Sequence, residues 1–340
     1  MRDQDSAARE PAALLRERMR GRTLPAPLLE QMEKVLSDTL GQMDICADVV
    51  TRPPHAFGSG RPVARLETLP PSAPVGCQGV PGAYSHISCG RFFKRPDIRF
   101  YGEFEDVFAA VARGEVAYGV LPVENSSAGA VGEVLALVSK YDLYINAATA
   151  IKVEHCLCAR PDTDPQKIEQ ALSHPQALLQ CAGFLREKGY MPVKYSNTAA
   201  AAKYVSESRD PLACLCSPLG ADLYGLAVLK RSVQDYDENY TRFICVSKDN
   251  ILLTGADTIA LSLAFANEPG ALGRLLTRFS VFGLDLTKLL SMPIASRDFN
   301  VRFFLDFRGS VEDPAVAALL GALSAEYTDF HFLGNYINLA

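Results

Sequence analysis

The sequence has no surplus of positive charge. Its 34 lysines and arginines are outnumbered by 39 acidic residues, for a formal net charge of −5. That balance excludes the basic footprint of a nucleic-acid binder. It also gives no long-range pull on an anionic ligand, so an anion site has to be built locally. No stretch approaches the roughly 18–20 uninterrupted apolar residues of a membrane span. The opening MRDQDSAAREPAALLRERMR is charged throughout and lacks the apolar middle of a secretory leader. The nine cysteines include no C-x-x-C. Cys156/Cys158 and Cys214/Cys216 are C-x-C pairs in apolar runs, where i,i+2 residues share one face of a strand. They read as buried thiols rather than a metal site. The expectation is a cytoplasmic, reducing setting with no metal, no nucleic acid and no membrane.

With 340 residues, 48% hydrophobic and 21% charged, the chain can bury a sizeable core and suits two or three domains. Residues 1–50 read as a helical N-terminal segment; Leu28, Met32, Val35, Leu36 and Met43 fall on one helical face. Residues 51–74 have the composition of a proline-rich linker. From residue 75 to about 250, short apolar runs alternate with helical patterns. VGCQGV, AYGVLPVE, LACLCS and RFICVSK look like strands, and YINAATAIKVEHCLCA is strand-rich. EDVFAAVARG, AVGEVLALVSKY and AAAAKYVSES look like helices. DPQKIEQALS reads as a short helix and PQALLQCAGFLREKG as a longer one. This alternation predicts α/β layers, with a largely parallel sheet in each of two lobes. Residues 258–340 change character. Their order βαββαβ, with SRDF as a short turn, predicts an α+β ferredoxin-like sandwich.

In α/β sheets, ligands gather beyond the carboxyl ends of the strands, at helix N-termini. Five polar stretches fall at such junctions. GVPGAYSH has Gly79 and Gly82 for a tight turn and Tyr84 and Ser85 at a helix start, where free N–H groups suit a carboxylate. VLPVENSSAGAVGEV ends a buried run in Glu124, Asn125, Ser126 and Ser127. SHPQALLQC carries Ser173 and His174, then Gln176 and Gln180 one helical turn apart. YSNTAAAAKYV places Asn197 and Thr198 before a helix of small residues. DENYTRFICVSK brings Thr241 and Arg242 to the start of an apolar strand. Each also has an ordinary capping or turn explanation. Together they imply a neutral, polar site with Arg242 as its best cation. No metal-ligand cluster, phosphate loop or G-x-S-x-G motif accompanies them.

In this order and spacing, G-x-x-G-x-Y-S, P-x-E-N-S, S-H-P-Q-A-L-x-Q and T-R-F resemble the prephenate dehydratase family over residues 75–250. Residues 258–340, with N-E-P-G-A-L at 267–272, resemble the ACT regulatory domain that follows it in that family. The resemblance implies a two-lobed, periplasmic-binding-protein-like catalytic domain. It implies conversion of prephenate to phenylpyruvate, water and carbon dioxide in phenylalanine synthesis, without a cofactor. It assigns Thr241 and Arg242 to catalysis, Thr241 at the leaving hydroxyl and Arg242 at a carboxylate. Tyr84, Ser85, Glu124, Asn125, Ser126, Ser173, Gln180 and Thr198 go to substrate binding. Asn267, Gly270, Ala271 and Leu272 go to binding an amino-acid effector. One tension stands out: adjacent strand residues point to opposite faces, so Thr241 and Arg242 cannot both face one cleft if the strand has already begun.

Two stretches depart from the family pattern. Leu290, Ser291, Met292 and Pro293 stand where the regulatory domain usually has E-S-R-P. This removes an acid and a base, and leaves L-phenylalanine feedback an open alternative. Residues 1–50 are short for a complete chorismate mutase unit and read as a remnant of one or a docking segment. A homodimer or homotetramer is expected. The competing readings are a non-catalytic amino-acid sensor and a bifunctional chorismate mutase/prephenate dehydratase.

Overall fold

The computed structural model of the chain describes residues 63–265, 268–294 and 301–339. The helical stretch at 27–50, residues 51–62 of the expected linker and the SRDF turn lie outside the described residues. The remainder of that linker, 63–74, is not one, because Val63–Leu66 form a strand and Leu69 and Ala73 are buried. The chain divides into two compact units. One holds Arg65–Thr254 and the strand end from Ile337; the other is built on Gly255–Tyr336.

The larger unit has two lobes, each on its own sheet. In the first, the strands run in the order Asp97–Tyr101, Pro74–Gln78, Tyr118–Asn125, Tyr240–Ser247, Tyr144–Lys152. Ile337–Leu339 pair in parallel with Ala147–Thr149 at the far edge. The first three strands are parallel, and Tyr240–Ser247 runs antiparallel to both its neighbours. In the second lobe the order is Ala227–Lys230, Cys156–Ala159, Leu212–Cys216, Gln170–Ser173, Met191–Lys194. The chain therefore crosses between lobes twice, through residues 153–155 and 231–239.

The apolar runs become strands buried on both faces. Tyr118 through Leu121 are all buried, so that strand reads as a continuous run rather than an alternation. The helix Phe104–Arg113 has a reciprocal capping box between Glu103 and Asp106 and buries Val107, Phe108, Ala110 and Val111. At roughly 1.5–3 kcal/mol for each large apolar side chain, that face outweighs the weak preference of ten residues for helix. The cysteines of both C-x-C pairs are buried and free, in a core cluster that also holds Leu172, Val205 and Ala221.

Two expectations fail in the second lobe. Only Pro165–Lys167 of DPQKIEQALS turns, as a single 3₁₀ turn capped by Asp164, and Gln170–Ser173 is a strand. That strand lies between two parallel neighbours with Ala171, Leu172 and Ser173 buried, so its place in the sheet overrides its local pattern. The long helix of PQALLQCAGFLREKG is broken into Pro175–Gln180 and Ala182–Lys188 at Cys181. The cause is Asp235. Its carboxylate accepts from Gly183 N and Phe184 N, and its own N–H donates to Gln180 O. A second helix N-terminus is thereby capped in mid-segment.

The smaller unit carries the predicted βαββαβ order. Strands Leu286–Pro293, Val301–Arg308, Thr258–Phe265 and Asp329–Leu339 follow each other in the sheet, all antiparallel. The helices are Ala271–Val281 and Pro314–Glu326. Among the described residues no helix is long and apolar enough to cross a membrane.

Candidate active site

The strand Tyr240–Ser247 has begun by Thr241, and this decides which face each neighbour serves. Thr241 is the cross-strand partner of Asn125, and Arg242 of Glu124. Directly opposed residues share a face, so Thr241 and Asn125 look one way, Arg242 and Glu124 the other. Arg242 donates to Asn338 Oδ1 at 2.6 Å. The expected carboxylate partner of Thr241's substrate is thus turned from Thr241, for the reason strand geometry gives.

Around Thr241 the polar groups form one chain. Asn125 Oδ1 accepts from the backbone N–H groups of Ser127 and Ala128, both at 3.0 Å, and from the Ser127 hydroxyl at 2.7 Å. Its Nδ2 therefore faces Thr241 Oγ1 at 2.9 Å, Asn239 Oδ1 at 2.9 Å and Tyr240 O at 3.2 Å. Gln180 Nε2 donates to Ser127 Oγ at 2.7 Å. Because Ser127 belongs to the first lobe and Gln180 to the second, this bond bridges the two lobes. Gln180 Oε1 meets His155 Nε2 at 2.9 Å. His155 lies on the first crossing, its N–H held by Gln234 Oε1 and its carbonyl by Val233 N from the second. Burial pushes its pKa down, against a smaller opposing effect of Gln180.

The remaining sequence-derived residues do not join this chain. Ser126 accepts from Tyr240 N and donates to Glu238 O, fastening the loop to the start of the strand. Tyr84 donates to Glu154 O at 2.5 Å and meets the His155 ring edge-on at 6.3 Å; burial pushes its phenol pKa up. Ser85 is buried in the same helix. Ser173 is fully buried and donates to Leu215 O at 2.7 Å. Thr198 opens a helix whose cap is Asn197, through Ala200 N at 2.7 Å. The turn before Tyr84 docks on the second lobe: Ser217 Oγ donates to Gly82 O and Tyr224 Oη to Pro81 O. Gly82 sits at φ +88, and a Cβ there would come within 3.1 Å of Gly220 Cα, so this close approach of two backbones needs glycine.

Sequence reasoning missed His155 and Asn239 as parts of this site and gave Ser127 no role beyond its polar junction. His155 sits in a stretch read simply as strand-rich, and nothing in a single sequence links it to Gln180, 25 residues away. Asn239 adjoins the T-R-F stretch, which was the one available signal.

In the smaller unit, Gly270, Ala271 and Leu272 line a pocket of about 180 Å³ with Phe265, Glu268, Val301 and Phe303. Gly270 is the N-cap of the helix Ala271–Val281. Asn267 lies outside the described residues.

Two α/β lobes joined by a double crossing, with hydroxyls and amides at the hinge, define a binding-protein-like fold. The chain belongs to the prephenate dehydratase family, whose model matches residues 75–251. It is 31% identical over 274 residues to the arogenate dehydratase/prephenate dehydratase 2 of Arabidopsis thaliana, covering 77% of this chain and 72% of that one. The prephenate dehydratase of Arthrobacter aurescens, solved with L-Phe, is 27% identical with a TM-score of 0.70, over 77% of this chain and 89% of that one. A solved chain described as GqqA, a novel type of quorum quenching acylase, is 32% identical with a TM-score of 0.71, over 77% and 97% respectively.

Proposed function

We propose that this enzyme converts prephenate to phenylpyruvate in the hinge cleft, with Thr241 as the group that meets the leaving hydroxyl. The electron pair of the ring–carboxylate bond flows into the ring as carbon dioxide departs. The opposite hydroxyl leaves with its own bonding pair, takes up one proton and departs as water, and the ring becomes aromatic. The driving force is in the substrate, so the protein has to orient a dianion and ease the departure of hydroxide. Assisting a leaving group in this way is typically a 10²–10⁴-fold effect.

The observation that carries the reading is the direction of the bond between Asn125 and Thr241. Thr241 Oγ1 accepts from Asn125 Nδ2, which leaves its own proton to be donated. A threonine hydroxyl is a weak acid, so it polarises the leaving oxygen or passes on a proton rather than ionising. Uncharged neighbours suit this task, because a carboxylate next to the departing one would repel it. Asn125 acts through Thr241, since its Nδ2 already faces three acceptors. Gln180 has one N–H left after Ser127 and takes the substrate contact. Ser85, Thr198 and the N–H groups of the helices starting at Tyr84 and Thr198 serve the carboxylates.

The N-terminal 1–50 segment as a mutase remnant or docking segment, 75–250 as catalytic domain and 258–340 as ACT domain complete the proposal. The Gly270–Leu272 pocket is the candidate amino-acid site, and assembly is as a homodimer or homotetramer. An acylase reading would want a nucleophile and a base in the cleft, whereas His155 meets an amide there. The deciding experiment incubates pure protein with prephenate and, separately, arogenate, with and without phenylalanine. Phenylpyruvate absorbance from prephenate supports the proposal; no product from either acid rejects it.

A further inference from the structure

The hydrogen bonds of the cleft can be given a direction from their fixed end. Backbone N–H groups can only donate, so Ser127 N and Ala128 N identify the Asn125 atom they touch as the carbonyl oxygen. That oxygen can only accept, so the Ser127 hydroxyl, 2.7 Å away, spends its proton on it. The Gln180 atom 2.7 Å from Ser127 Oγ must then be the donor nitrogen. Its oxygen is left facing His155 Nε2 at 2.9 Å, which must carry the proton. His155 is therefore protonated on Nε2, and its burial, which lowers its pKa, favours the neutral ring. Its Nδ1 is buried and has no partner among the described residues.

We propose that His155 is a positioning residue for this reaction. From the hinge it pins the Gln180 carbonyl, so that one amide proton closes onto Ser127 of the other lobe and the second is presented to the substrate. The inference rests on the prephenate dehydratase reading for its kinetic consequence, while its geometric content stands apart from it. Without a donor at Nε2 the Gln180 oxygen loses the one partner it has among the described residues. The amide is then free to rotate, and the bridge from Gln180 to Ser127 of the other lobe loses its fixed orientation. His155 is held for the role by both crossings, through Gln234 Oε1 on its N–H and Val233 N on its carbonyl. Tyr84 braces the ring from the side.

The test pairs His155→Phe, which keeps a buried ring but has no donor, with His155→Gln, whose amide N–H reaches the place of Nε2–H. Loss of one such hydrogen bond predicts a fall in kcat/KM of roughly tenfold for His155→Phe, with His155→Gln within about threefold of the parent. Unchanged kinetics in His155→Phe, or equal losses in both variants, would overturn the proposal. Nitrogen-15 spectra of the unsubstituted protein supply the readout that needs no turnover. A pyrrole-like Nε2 and a pyridine-like Nδ1 are expected for His155, and the reverse would overturn it even if both variants failed to fold. A parent protein that makes no phenylpyruvate sinks the functional reading, and the spectrum still decides the tautomer.

Discussion

Asn125 donates to Thr241 across 2.9 Å, between strands more than a hundred residues apart in sequence. Because that bond fills a lone pair on the threonine oxygen, the threonine proton is directed elsewhere, and the cleft gains a donor where the leaving hydroxyl is proposed to sit. Thr241→Ala is expected to lower kcat by 10²–10⁴-fold, the usual span for a lost proton-transfer or polarising group. Thr241 is only half-buried at the strand's beginning, so the melting temperature should move by no more than a few degrees. Thr241→Ser should retain most of the activity. Steady-state kinetics beside a thermal melt separate the two effects, and an alanine variant with parental kcat would remove Thr241 from the mechanism.

Asn125→Asp tests the same bond by inverting it. The new side chain is nearly isosteric, and one carboxylate oxygen can still accept from Ser127 N and Ala128 N. The other oxygen would face Asn239 Oδ1, Tyr240 O and Thr241 Oγ1, three acceptors. Thr241 would turn its proton onto the carboxylate, and a negative charge would stand near a dianionic substrate. The expected result is a loss of at least about a hundredfold in kcat/KM, since a misdirected donor and like-charge repulsion act together. A loss well under tenfold would show that the direction of this bond does not matter.

The fold was legible where burial imposes a pattern. Runs such as AYGVLPVE and LACLCS read as strands inside a covered sheet, and they are strands; the βαββαβ order of the smaller unit followed from periodicity. Legibility ended where distant residues decide. Asp235 breaks the helix that PQALLQCAGFLREKG promises by capping Gly183 and Phe184, and that break helps leave Gln180 at the last turn of its helix. Gln170–Ser173 is too short to show alternation and takes its identity from its two parallel neighbours. The site motifs stood out because polar clusters after buried runs are unusual. Their division of labour did not, since which donors remain free depends on bonds between the two lobes.

Arg242 supplies a prediction in which the strand geometry opposes the pairing suggested by adjacency. Its guanidinium reaches Asn338, and it shares a face with Glu124 rather than with Thr241. Arg242→Leu is therefore expected to cost far less in kcat than Thr241→Ala. Its larger effect should be on stability, of about 1 kcal/mol for a hydrogen bond to a charged group on a partly exposed strand, discounted for solvent screening. Parallel kinetics and denaturant titrations of the two variants check this. A collapse of kcat in Arg242→Leu, with stability intact, would return the arginine to the cleft.

The pH dependence of stability follows from three histidines. His86, His155 and His174 all have pKa values lowered by burial. In two of them the neutral ring is also needed as an acceptor: His86 Nδ1 for Gly82 N and His174 Nδ1 for Gln176 N. The unfolded chain takes up protons at these residues near their ordinary value of about 6.5, while the folded chain resists. Below that pH the unfolded state binds more protons, so stability falls as pH falls, and above it these groups contribute no slope. Carboxylates with lowered pKa values, such as Glu105 and Asp329, lose their contribution only further down, below their ordinary values of about 4. The window from about pH 7 to 5 therefore isolates the histidines. Melting temperatures should be flat above about pH 7 and drop progressively towards pH 5, with a shallower drop in His155→Phe. A melting temperature that held steady or rose over that interval would mean that these rings are as free to take a proton in the folded chain as in the unfolded one.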